Sequence, residues 1–231
     1  NLDSPPLFDR LLDPKIGGFF SLTPAVDYTV SRAYREDSNI LETRFETDDG
    51  TVLLTESINS TLAGRLPWSE LARRLEGVRG TVPFRLHLRF GTMIETRSPW
   101  RSDTFKGSVY HIGDLMAMLH TSENVVITRA DDEEIEAEIT LKKGSREVVA
   151  LLVTQSEPLA VPDIETIDNR IETSHTAWQG WVKGLKYDGL YKDHVIRSAL
   201  ALKFLWYSPT GALAAAATTS LPEGIGGKKN Y

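Results

Sequence analysis

The chain has 231 residues, 41% hydrophobic and 25% charged, with 26 basic against 32 acidic side chains and a formal net charge of −6. That composition suits a soluble globular protein with a sizeable core, and it lacks the roughly 20-residue apolar run of a membrane span. There is no cysteine, which excludes disulfides, thiolate zinc sites and a cysteine nucleophile, and fits a reducing cytoplasm; the dispersed basic residues argue against a nucleic-acid binder.

The opening residues, Asn1-Leu2-Asp3-Ser4-Pro5, have neither the basic start nor the apolar core of a signal peptide. From about Val30 to Thr154 the dominant period is two. Leu41, Thr43 and Phe45 alternate with Glu42, Arg44 and Glu46. Asp49-Gly50 then supplies the positive-φ pair expected of a tight hairpin, with Val52 to Thr55 returning. Asn59-Ser60-Thr61 is a formal glycosylation sequon, read as incidental. Phe84, Leu86, Leu88 and Phe90 alternate with Arg85, His87 and Arg89, a strand with one wet face. Ile135 to Leu141 alternates with Glu134, Glu136 and Glu138, and Lys143-Gly144 is expected to turn that strand toward Val149, Leu151 and Val153. Strands of this kind suggest an antiparallel β-sandwich, with no internal repeat.

Two prolines between Pro158 and Pro162 interrupt the pattern. Beyond them Ile164, Ile167, Ile171, Ser174, Trp178, Trp181 and Val182 recur at helical spacing. Gly184 and Gly189 loosen the chain, and a second helix is expected from about Tyr191 to Tyr207, with Val195, Ala199, Leu202 and Trp206 on its apolar stripe. Ser208 to Gly211 is turn chemistry. An alanine-rich stretch and a glycine-rich end, Gly224 to Lys229, follow. Two amphipathic helices need a partner surface, so they either lie on the sandwich or open a helical domain that continues past Tyr231.

Chemistry is sparse. His87, His111, His120, His175 and His194 show no metal-ligand spacing, and His87 reads as solvated on a polar strand face. No GxSxG elbow is present. Asp131-Asp132-Glu133-Glu134 is the densest acid cluster, but four adjacent carboxylates ahead of a strand read as a solvated turn rather than an acid–base pair. Gly224, Gly226, Gly227 and Lys228 lack phosphate-loop spacing. Trp178, Trp181 and Trp206 sit on helical stripes, where packing is the default, whereas Trp100, between Pro99 and Arg101, is freer to meet a ligand. No catalytic residue, metal or cofactor is assigned.

Four stretches resemble a known family. Asp3-Ser4-Pro5 through Phe8, then Leu11-Leu12-Asp13-Pro14 and Gly17-Gly18, is similar to the opening of trehalase-like N-terminal domains. Asn39 to Thr43 with Thr47 to Gly50 resembles their next hairpin, and Leu75 to Gly80 a following segment. Val195 to Gly227 resembles the stretch where that domain hands over to the catalytic barrel of glycoside hydrolase family fifteen, which includes glucoamylases, glucodextranases and trehalases.

The resemblance implies a mainly β fold. It gives a β-supersandwich over residues 1–160, a linker helix over 161–190, and the start of a truncated (α/α)6 barrel over 191–231. It implies an inverting α-glucosidase whose two catalytic carboxylates lie beyond Tyr231, so that this chain alone is inactive. Asn230 and Tyr231 match the first two positions of a glucose-holding motif and, with Trp100, are the expected substrate-binding residues. The expected partners are the rest of the same barrel and an oligo- or disaccharide, with no nucleic acid or membrane, and with self-association through exposed helices allowed. The chain also lacks the family's usual first strands, so a fragment is expected. An independent carbohydrate-binding module and a protein-interaction domain are the alternatives.

Overall fold

The computed structural model describes residues 7–11, 13–60, 68–91, 98–155, 157–207 and 210–214. Its centre is one 21-residue strand, Ser69–Arg89, long enough to serve two sheets in succession. In chain order the strands before it are β1 (Phe19–Pro24), β2 (Thr29–Tyr34), β3 (Leu41–Glu46) and β4 (Gly50–Ile58), which makes the long strand β5. After it come β6 (Trp100–Thr104), β7 (Gly107–Ile112), β8 (Leu115–Thr121), β9 (Val126–Ala130), β10 (Glu134–Lys142) and β11 (Arg146–Gln155).

The first half of β5 lies in a large antiparallel sheet ordered β2-β3-β4-β5-β11-β8-β7-β6. Its second half pairs with β1 and β10, and β9 adds to β10, forming a small sheet. The fold is therefore mainly β, an antiparallel sandwich followed by helices, as the alternating pattern implies. Leu75, Val149 and Leu151 from the large sheet meet Phe84, Leu86, Leu88, Ile135 and Ile139 from the small one in a single core. The corner where β5 changes sheet carries two glycines. A Cβ on Gly77 would stand 2.0 Å from the carbonyl oxygen of Lys142, and Gly80 has φ +65° with Asp49 O at 1.7 Å from a built Cβ. Only glycine meets both demands.

Two turns differ from their sequence reading. The β3–β4 hairpin closes through Thr47 N to Gly50 O, 2.9 Å, and Gly50 N to Thr47 O, 3.4 Å, so Asp48-Asp49 is its loop. Neither Asp49 nor Gly50 has a positive φ. Gly50 is required for a different reason: a Cβ there would lie 2.5 Å from Arg79 O as β4 passes β5. The Lys143-Gly144 turn does form, with Gly144 at φ +85°. Yet it does not close a hairpin between its flanking strands, because β10 and β11 each pair with a different half of β5.

The large sheet is covered on both faces. Strand β11 is buried almost continuously from Glu147 to Leu152, the signature of a strand between two layers. The outer layer is helix α1 (Ile164–Lys183), capped by Asp163, whose carboxylate accepts from Thr166 N. Ile167 and Ile171 are fully buried against Ile40, Ala72, Val148, Ala150 and Leu152. An ionic lattice reinforces this seam. Arg74 reaches Asp168 at 2.5 Å and Glu172 at 2.6 Å, while Arg146 also holds Asp168 and Arg35 also holds Glu172. Beside it the fully buried Glu70 accepts from Arg170 at 2.7 Å and Asn59 at 2.8 Å. Burial alone would push the Glu172 carboxyl up, but hydrogen bonds and charge from Arg74 and Arg35 hold it below the usual range.

Helix α2 runs Lys192–Phe204, shorter than its sequence reading, because Trp206–Tyr207 forms a two-residue strand, β12, against β13 (Ala212–Leu213). Its docked side is also different. Leu200 is the buried residue, Asn39 Nδ2 donates to Leu200 O at 3.0 Å, and Arg197 donates to Ser38 O at 2.7 Å. On the stripe read from sequence, Val195 (36% exposed), Leu202 (51%) and Trp206 (47%) instead face solvent. Polar anchoring to the β2–β3 connection, not apolar spacing, sets the helix's roll.

Candidate functional site

Trp100 begins β6, the edge strand of the large sheet, and is 54% exposed. It stands opposite His111 of β7 in register, and the two rings stack with centroids 3.8 Å apart and planes 6° from parallel. Ser102 Oγ lies 2.9 Å from His111 Nε2, so the imidazole under the indole is held in place. Burial lowers the His111 pKa, favouring a neutral ring. The backbone of the next residue is tied down as well: Arg101 N donates to Asp132 Oδ1 at 3.0 Å and its side chain to Ala130 O at 2.9 Å. At the tip of the hairpin Phe105 is 95% exposed. The result is a rigid aromatic face on a sheet edge, able to stack on a flat apolar surface such as a sugar ring.

Asn230 and Tyr231, the other two expected substrate contacts, lie outside the described residues, as does the glycine-rich stretch from Gly224.

The acid cluster is a turn. Asp131 Oδ1 accepts from Glu133 N at 3.0 Å and Glu134 N at 2.9 Å, and those backbone donors hold the Asp131 carboxyl below its usual range. Asp132 is occupied with Arg101, and Glu134 turns onto the small sheet. No pair of these acids is arranged around a space for substrate and water. Trp178 packs on the α1 seam and against Phe204, with centroids 5.5 Å apart, whereas Trp206 is capped by Lys203 at 3.3 Å.

Sequence reading missed one grouping. His87, Glu134 and Glu136 share the outer face of the small sheet, with one ligand-type atom of each within 4.8 Å of the others. The residues are 47 to 49 positions apart in the chain, so no spacing motif reveals them; only the pairing of β5 with β10 does. No helix among the described residues is long and apolar enough to cross a membrane.

The chain matches no protein-family model. It is similar to trehalases over essentially its full length. The trehalase of Thermoplasma acidophilum is 29% identical over 235 residues, covering 100% of this chain and 40% of the relative. Those of Mycobacterium tuberculosis and Mycolicibacterium smegmatis are 30% and 32% identical, covering 99% of this chain and 36% and 37% of the relatives. The chain thus spans about two fifths of the length of the relatives it matches.

Proposed function

We propose that this chain is the N-terminal, non-catalytic part of an inverting α-glucoside hydrolase of the family-fifteen kind, acting as the support on which the catalytic barrel is built. The observation that carries the reading is end-to-end similarity to trehalases that are two and a half times longer, joined to a helix whose Val195 and Leu202 are exposed. In this proposal residues 1–160 are the sandwich, 161–190 the linker helix, and 191–231 the opening of the barrel. The exposed Val195, Leu202 and Trp206 would meet the barrel's next helices, and Asn230 and Tyr231 would lead into the glucose pocket.

The chemistry assigned to the whole enzyme is single displacement. One carboxylic acid protonates the glycosidic oxygen while an opposing carboxylate takes a proton from the attacking water. The two stand about 6.5–9.5 Å apart to admit that water. Many acids among the described residues are engaged in ion pairs, caps and turns, as Asp168, Glu172, Asp163 and Asp131 are, and none is offered as either partner. The chain's own role is geometric: the α1 lattice fixes the helical layer against the sandwich, and α2 leaves from a fixed point at Asn39.

Glucose release from trehalose and maltose tests this directly. The 231-residue chain should be inactive, and the chain joined to the rest of its enzyme active. Release by a clean preparation of the chain, lost on mutating one of its own glutamates, would refute the proposal. Self-association of the chain through its exposed helical stripe, abolished in the joined protein, is the companion expectation in gel filtration.

A second reading, an independent carbohydrate-binding module, is favoured by the Trp100 platform. Calorimetry with maltose, maltotetraose and trehalose separates the two: saturable binding lost in Trp100→Ala supports the module, and no binding by the chain opposes it.

A further inference from the structure

We propose that His87, Glu134 and Glu136 form a binding site for a divalent ion of the zinc class on the outer face of the small sheet. His87 and Glu136 are direct partners across β5 and β10, and Glu134 lies one pair further along the same face. One donor atom of each residue lies within 4.8 Å of the other two. His87 Nε2 is buried and has no hydrogen-bond partner, its nearest carboxylate oxygen, Glu134 Oε2, being 3.6 Å away. The ring is held by Phe19, edge to face, with centroids 4.6 Å apart. A buried ring nitrogen facing two carboxylates without bonding to either is a donor set awaiting an acceptor.

A zinc-class ion binds imidazole nitrogen and carboxylate oxygen at about 2.0–2.2 Å. Drawing the three donors in requires side-chain rotation, which is open to them because all three residues are only partly buried. One nitrogen and two oxygens suit zinc, cobalt, nickel or manganese rather than calcium, whose ligands are all oxygen. Remaining positions are open to water.

Two arginines touch these carboxylates, and they act differently. Arg89 Nε binds Glu134 Oε1 at 2.9 Å, leaving Oε2 turned toward His87, so it orients a ligand as an outer partner does. Arg129 reaches Glu134 Oε2 at 3.2 Å and Glu136 Oε1 at 3.3 Å, but its shortest bond, 2.6 Å, is to Asp131. It can keep Asp131 and yield the other two to a divalent ion. The bound ion would clamp β10 to β5.

The test is titration of the tag-free full chain, stripped with chelator, with zinc by calorimetry and with cobalt by visible absorption. A saturable site that raises the melting temperature, reversibly on adding chelator, is expected. His87→Gln and Glu136→Gln should weaken it at least about tenfold, the scale on which even outer partners matter. Glu138→Gln, on the same face outside the cluster, should not change it, and Arg129→Gln should tighten it by removing a competitor. Far-ultraviolet circular dichroism checks that each variant is folded. Failure to bind either metal, or undiminished binding by folded His87→Gln, would overturn the proposal and leave a cross-strand charge ladder.

Discussion

Arg74→Ala tests whether the ionic lattice or apolar contact alone fixes α1 to the sandwich. The Arg74 side chain is 3% exposed and is met by both Asp168 and Glu172. Removing one partner of a buried ion pair costs about 3–5 kcal/mol, because the remaining charge is stranded. Here the cost falls at the lower end, about 3 kcal/mol, since Asp168 keeps Arg146 and Glu172 keeps Arg35. For a chain of this size that is a fall of about 6–12 °C in melting temperature. Differential scanning calorimetry reads the total, and amide hydrogen exchange shows whether α1 loses protection before the sandwich. The double variant with Asp168→Ala should show a coupling of at least about 1 kcal/mol, as residues in one network do. A fall below about 2 °C, with α1 protection unchanged, would mean that Ile167 and Ile171 hold the helix unaided and the lattice reasoning is wrong.

The pH dependence has a definite sign. The folded-state pKa of Glu172 is depressed by Arg74 and Arg35, so its contribution is present above the ordinary carboxylate pKa and is lost as pH falls through the folded value. Glu172→Gln should therefore flatten the acid limb of the stability curve; an unchanged limb refutes that. Gly80→Ala should destabilise clearly more than Gly144→Ala in urea melts. Both have positive φ, worth about 1–2 kcal/mol to an L-residue, but only Gly80 would also drive its Cβ into Asp49 O. Leu202→Asp should change the stability of the chain by no more than about 0.5 kcal/mol, since it substitutes a solvent-facing position. In the proposed intact hydrolase it should cut activity sharply, and equal activity there would detach α2 from the proposed barrel.

Trp100 was legible in sequence as a free aromatic because proline and charge flank it, but its stacking on His111 depends on register across a hairpin. Local periodicity was sufficient for β3, β10 and α1, where each face has a constant environment. It failed for the roll of α2, whose position is set by Arg197 and Asn39 rather than by its apolar residues. It failed also at Asp49-Gly50, where glycine answers a close approach between strands and not a torsion angle. The alternation of Glu134, Glu136 and Glu138 with apolar residues is legible in the sequence, while the grouping of two of these acids with His87 is not. Alternating hydrophobicity by itself determined the sandwich, and helical spacing determined the two helices, because both report which side of a segment avoids water. Strand partnership is a matter of which backbones meet, so only the tertiary structure decided that one strand serves two sheets and that residues nearly fifty positions apart share a face.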